Sequence, residues 1–270
     1  TDKMREVIDS TRLKSKPVKN ILFNWDDPFN WAFNDLEEKS KFFNTVFVSS
    51  AEKINSYREA GADAHVLYPG FNPNVHNIIV DVDTVENHGF SSDDIPEYEC
   101  DISFCVTNLY DNEMYPNQYI NRKKLIDDIY ENRKVYGYKF NIYGPEFLRP
   151  IYPESYKGFM KYEDTAKIFN YSKINLSTHV QMADSYLNER VILILASGGL
   201  LLIDDINNNS GKCSIEIGKD CVKIDRDRYI EQFVDILKNY DNYTKIRYNG
   251  LQKSKLFTWD LWAKYICENI

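Results

Sequence analysis

Apolar and polar positions alternate in blocks along this chain, and the densest block is the most informative. Residues 185–205 read SYLNERVILILASGGLLLIDD. A polar turn leads into an apolar run, Gly198-Gly199 interrupts it, and Leu200-Leu201-Leu202-Ile203 resumes it before Asp204-Asp205. The run is too short for a bilayer, which takes about 20 residues. The pattern predicts a helix buried on most sides, a glycine turn, and a buried parallel strand with carboxylates at its carboxyl end. In open α/β sheets, ligands settle in the crevice beyond that end of the strands.

The alternation continues on either side. Ile21-Leu22-Phe23 predicts a strand ending in Asn24-Trp25-Asp26-Asp27, and Pro28 the start of a helix reaching about Lys41. Val46-Phe47-Val48 predicts a second strand, and Ser49-Ser50 caps a helix over AEKINSYREAG. A third strand is expected at His65-Val66-Leu67-Tyr68. Residues 78–99 are acidic and poorly periodic and read as a connection between two units. Beyond it, strands are expected at residues 101–105, 139–143 and 173–176, with helices at residues 119–131 and 164–171. A short β-like pair near Ser214 and Val222 follows, then helices at residues 228–238, 243–256 and 258–269. Strands alternating with helices imply βαβ units and parallel sheets, an α/β fold. The expected division is 1–77, a 78–99 linker, 100–255, and a terminal helix at 256–270.

Composition narrows the function. A net charge of -8 argues against broad binding to phosphate backbones, so nucleic acid is not the expected partner. Arg12, Lys14, Lys16 and Lys19, and Arg122-Lys123-Lys124, are local basic groups that a solvated face also explains. Five scattered cysteines form no Cys-x-x-Cys pair, and no His cluster has metal-ligand spacing. Free thiols in a reducing compartment are expected, and TDKMREVIDS has no apolar core of a signal peptide. The expected location is cytoplasmic, without a membrane span. No glycine-rich nucleotide loop and no Gly-x-Ser-x-Gly elbow is present.

Candidate chemistry gathers at the strand ends. The turn before the buried helix is an anion site in waiting: Asp184, Ser185 or Asn188 can cap it, and its free N–H groups and dipole favour a phosphate. Arg190 either adds a bidentate contact to a diphosphate or pairs with a carboxylate such as Asp204. Asp26 or Asp27 either serves as general base on an acceptor hydroxyl or caps the Pro28 helix. His179 either hydrogen-bonds a sugar or phosphate or is a satisfied structural imidazole. Tyr162-Glu163-Asp164 either meets a nucleobase or caps a helix.

The order of four segments resembles the GT-B glycosyltransferases, in particular the CgeB-like, spore-maturation-related group with its viral and bacterial relatives. The segments are ILFNWDDPFNW with the following FFNTVFVSSAEKINSYREAGADAHVLYPGFNP; DISFCV with Arg122-Lys123-Lys124; FNIYGPE with YEDTAKIFNYSKINLSTH; and YLNERVILILASGGLLLIDD. LQKSKLFTWDLWAKYI resembles the terminal helix that crosses back to the first domain. The resemblance implies two Rossmann-like domains facing a cleft, the amino-terminal one short or truncated, and completed by a missing segment or a partner chain. It implies a nucleotide-sugar donor, most simply a UDP-sugar, with no metal required, and a hydroxyl acceptor. By position Arg190 and the turn Tyr186-Leu187-Asn188 meet the diphosphate, Gly144, Tyr162, Glu163 and His179 lie near the donor, and Asp26 or Asp27 faces the acceptor. Leu193 stands where many relatives place a ribose-binding Glu, and Thr107-Asn108 replaces the usual glycine turn. The alternatives are a non-catalytic nucleotide- or glycan-binding module and a transferase acting on modified DNA bases.

Overall fold

The computed structural model describes residues 19–76, 95–109, 122–179 and 182–270. Most of the predicted linker, the basic residues Arg12, Lys14 and Lys16, and the first residues of the helix expected at 119–131 lie outside them. The first unit holds β1 (Ile21–Asn24), α1 (Leu36–Lys39), β2 (Thr45–Val48), α2 (Ile54–Glu59) and β3 (Asp63–Val66). Its strands form a parallel sheet in the order β1-β2-β3. Period-two alternation assigns its faces: Val46, Val48 and Ala64 pack with Tyr57 and Leu22 on one side, while Phe23, Phe47 and His65 lie on the other.

The second unit holds α3 (Ile95–Tyr98), β4 (Cys100–Cys105), α4 (Lys124–Tyr136), β5 (Phe140–Tyr143), α5 (Tyr162–Tyr171), β6 (Ser172–Ser177), α6 (Glu189–Ala196), β7 (Leu201–Ile203), β8 (Val222–Lys223), α7 (Tyr229–Lys238), α8 (Thr244–Ser254) and α9 (Trp259–Glu268). Its five strands run parallel in the order β5-β4-β6-β7-β8. The order reverses at β4, so the crevice between the ends of β4 and β6 is the switch point where such sheets take ligands. Leu200 and Leu202 face a core with α4 and α7, whereas Leu201 and Ile203 face one with α5 and α6. Covering both faces explains why this strand reads as an unbroken apolar run.

Helix α6 is buried at every position from Val191 to Ala196. Each Val, Leu or Ile hidden this way contributes about 2 kcal/mol of gross stabilisation. Gly198 ends it at φ +68°, a left-handed conformation that glycine adopts without steric cost.

Three expectations fail. The cap position of α2 falls on Lys53 rather than on Ser49 or Ser50. Residues 25–35 form consecutive turns rather than a helix, which is confined to α1. Asn24, Asp27 and Asn30 spend their side chains on one another there, the competition with backbone bonding that disfavours helices. Ser214 lies in no strand; β8 instead adds in parallel to β7.

The two units are tied together. The Ala51 and Leu187 amides donate to the carbonyls of Asp184 and Ser49, at 2.8 and 3.4 Å. Helix α9 crosses back over the first sheet, where Trp262 stacks on Phe23 at 5.2 Å and Tyr265 meets Phe47 edge-on at 6.3 Å.

Candidate active site

A cleft of about 400 Å³ opens where the strand ends of the two units face each other, within the range of small-molecule sites. Trp25, Asp26 and Pro69 line it from the first unit. Thr107, Arg122 and the turn Tyr186-Leu187-Asn188 with Glu189, Arg190 and Leu193 line it from the second.

The turn is built to present backbone N–H groups. Asn188 is the N-cap of α6, and its side-chain oxygen accepts from the Val191 amide at 3.3 Å. Ser177 Oγ donates to the same oxygen at 3.2 Å, which fixes the cap to the end of β6. Ser185 adopts φ +54° just before it. Tyr186 is braced from the first unit by Phe29, edge-on at 4.8 Å. Arg190 extends over the Phe104 ring at 5.4 Å. The free amides of the first turn and the helix dipole make this mouth attractive to anions.

Arg122 does not sit on the solvated basic face that its cluster suggests. It is buried, its Nε donates to Thr178 Oγ1 at 2.9 Å, and its other nitrogens donate to the carbonyls of Thr178 and Asn108 at 2.7 and 3.1 Å. A guanidinium thus staples the ends of β4 and β6 and sits at the switch point. The cluster Arg122-Lys123-Lys124 suggested a solvated basic face; only burial separates Arg122 from its neighbours, and burial has no one-residue signature.

Asp26 and Asp27 part company. Asp26 is exposed and lines the cleft. Asp27 has no exposed surface and accepts hydrogen bonds from Tyr57 at 3.0 Å and Asn24 at 3.4 Å. Burial pushes its pKa up to about 7, against the lowering effect of Tyr57 and Lys53. It cannot meet an acceptor hydroxyl in this arrangement.

The other expected site residues lie outside the cleft lining. His179 is buried, with Nδ1 at 2.8 Å from Asp204 and its amide donating to the same carboxylate at 2.9 Å. Burial alone would raise the Asp204 pKa, but His179 and then Arg226 hold it below the usual value. Asp204 therefore serves His179 rather than Arg190. Tyr162 accepts from the Asn72 amide at 3.4 Å and meets His76 edge-on at 4.9 Å. Exposed Glu163 follows it, and the cap position of α5 falls on Lys161 without a side-chain bond. Gly144 answers to packing: a Cβ there would stand 2.2 Å from the Val106 carbonyl oxygen and 2.7 Å from Leu148. Gly144→Ala is expected to cost about 1–3 kcal/mol, read as a lower denaturant midpoint at unchanged slope; an unchanged midpoint would refute the packing argument.

Among the described residues, no three His, Cys, Asp or Glu side chains gather to hold a metal ion, and no helix is long and apolar enough to cross a membrane.

No curated protein matches the chain. Solved structures do. The Anabaena HepE complex with UDP-glucose superposes over 100% of this chain and 76% of its own, at 12% identity and TM-score 0.66. Sucrose-phosphate synthase from Thermosynechococcus elongatus covers 96% of this chain and 69% of its own, at 12% identity and TM-score 0.63. The pneumococcal O-GlcNAc transferase GtfA, in complex with UDP and GlcNAc, covers 87% and 46%, at 12% identity and TM-score 0.54. These likenesses give the fold, a GT-B arrangement. The glycosyl transferase-like family model matches residues 122–268, more than half of the sequence and the whole span from the buried arginine to α9. The chain is a member of the glycosyl transferase-like family.

Proposed function

We propose that the cleft transfers a sugar from a nucleoside diphosphate sugar, most simply a UDP-sugar, to a hydroxyl acceptor. One observation carries the reading: the capped amino end of α6 and two arginines, Arg122 and Arg190, converge on a single cleft between the units. In the step itself the acceptor oxygen bonds to the anomeric carbon. The bond from that carbon to the diphosphate breaks, and the diphosphate leaves with the electron pair. Arg190 and the helix amides stabilise the growing negative charge. Asp26, the cleft-lining carboxylate of the first unit, takes the hydroxyl proton.

Leu193 offers no polar atom to a ribose. Glu189 lies one turn earlier on the same helix face and also lines the cleft. We assign the ribose hydroxyls to it. Within the family, the motif order from ILFNWDD to YLNERVILILASGGLLLIDD supports the CgeB-like group, and unpaired cysteines support a cytoplasmic setting.

A melting screen with UDP-, GDP-, ADP- and CMP-sugars tests the donor. Saturation at 100 times Kd adds about 2.7 kcal/mol, a rise of roughly 5–10 °C for a chain of this size. UDP-sugars are expected to give the largest shift; no shift with any of the four would sink the donor assignment.

A further inference from the structure

Three of the four tryptophans stand in one row of rings that starts inside the cleft and leaves it. Trp25 and Trp259 line the cleft. Trp262 meets Trp259 at 5.1 Å and Trp25 at 6.1 Å, and Phe23 stacks on it at 5.2 Å. Trp262 and Tyr265 then line a second groove of about 430 Å³, whose rim carries Lys212, Ser214, Lys264 and Glu268. Trp259, Trp262 and Tyr265 recur every three residues, so they share one face of α9.

Core packing accounts for only part of this row. Phe47 is fully buried beneath it, but Phe23 keeps 39%, Trp259 36% and Tyr265 37% of their surface exposed. Exposed rings in a continuous line mark a binding surface more often than a core. Flat rings beside hydrogen-bonding groups suit a ligand with apolar faces and polar edges, the description of a pyranose ring. Nucleic-acid bases also stack on such rings, but the chain's net charge of -8 opposes a phosphate backbone.

We propose that the acceptor is an extended carbohydrate chain. Its reacting end lies against Trp25 and Trp259, and the following sugar units run along Trp262 to Tyr265. This rests on the transferase reading of the cleft, and it adds the acceptor class and the path.

The test uses the full chain and immobilised linear oligosaccharides of two and six units, in gluco, xylo, galacto and N-acetylglucosamine series, with oligothymidylate alongside. Wild type, Tyr265→Ala and Tyr265→Phe are compared, and the melting shift with UDP-glucose is measured on the same samples. At least one six-unit sugar is expected to bind tenfold or more tightly than its two-unit counterpart. Tyr265→Ala loses that gain and Tyr265→Phe keeps it, with the UDP-glucose shift equal in all three. Equal binding of two and six units, retention of no oligosaccharide, or retention of oligothymidylate instead overturns the path while the UDP-glucose shift persists. Length dependence without any UDP-glucose shift supports the path as a carbohydrate site and counts against the donor reading.

Discussion

Arg190→Ala is expected to lower kcat/KM for sugar transfer by about 10²–10³-fold, the usual loss when one preorganised contact to developing charge is removed. The charge on the departing diphosphate grows as the anomeric bond breaks, so a guanidinium beside it acts more strongly in the transition state than on the bound donor. Most of the loss should appear in kcat. Arg190→Lys keeps a positive charge but not the planar fork, and should recover only part of the rate. The side chain packs over the buried Phe104 ring, so melting without donor is measured on the same variant and the rate is compared at a temperature where both proteins are folded. Unchanged kcat/KM and an unchanged UDP-sugar shift in Arg190→Ala would remove Arg190 from the diphosphate site.

The contrast between the two arginines shows what a sequence can convey. Arg190 was legible because α6 announces itself: an apolar run, a capping Asn188 and a glycine turn fix its register, and position two of a helix faces the mouth. The burial of Arg122 was not, because it depends on Thr178 and the Asn108 carbonyl, 56 and 14 residues away. The second sheet was legible for a similar reason. Its strand β7 is buried on both faces, and such a strand reads as a short apolar run whatever surrounds it. The turns at 25–35 were not, since Asn and Asp side chains bond each other there instead of leaving the backbone to follow its helical start signal.

Direct hydrogen bonds also join the two units beside the cleft. The turn before α6 is bonded to the residues that follow β2 through Ala51 and Ser50, and Tyr68 donates to the Ser185 carbonyl. The first unit therefore holds the turn in place. Phe29 packs on Tyr186, so the turns carrying Trp25 and Asp26 touch the turn before α6. The central group of those turns is the buried carboxyl of Asp27.

Asp27→Asn is expected to stabilise the protein at pH 8 and to make little difference at pH 4. Asp27 releases its proton near pH 7 in the folded chain, against an ordinary value of 3.8. Between those values the folded state holds a proton that the unfolded state has lost, so wild-type stability falls as pH rises from about 4 to about 7 and then levels off. The interval corresponds to at most about 4 kcal/mol. Desolvation is the main cause, with Glu52 adding to it, while Tyr57 and Lys53 oppose it. The amide of the variant cannot ionise, and its oxygen can still accept from Tyr57 and Asn24. At pH 8 the variant should melt several degrees higher, at roughly 2–4 °C per kcal/mol, and the two melting curves should converge towards pH 4. Equal melting temperatures across that range would show that Asp27 stays ionised in the fold. A parallel loss of transfer at pH 8 would mean instead that its negative charge, rather than its place among Asn24, Asn30 and Tyr57, is what the acceptor-side turns require.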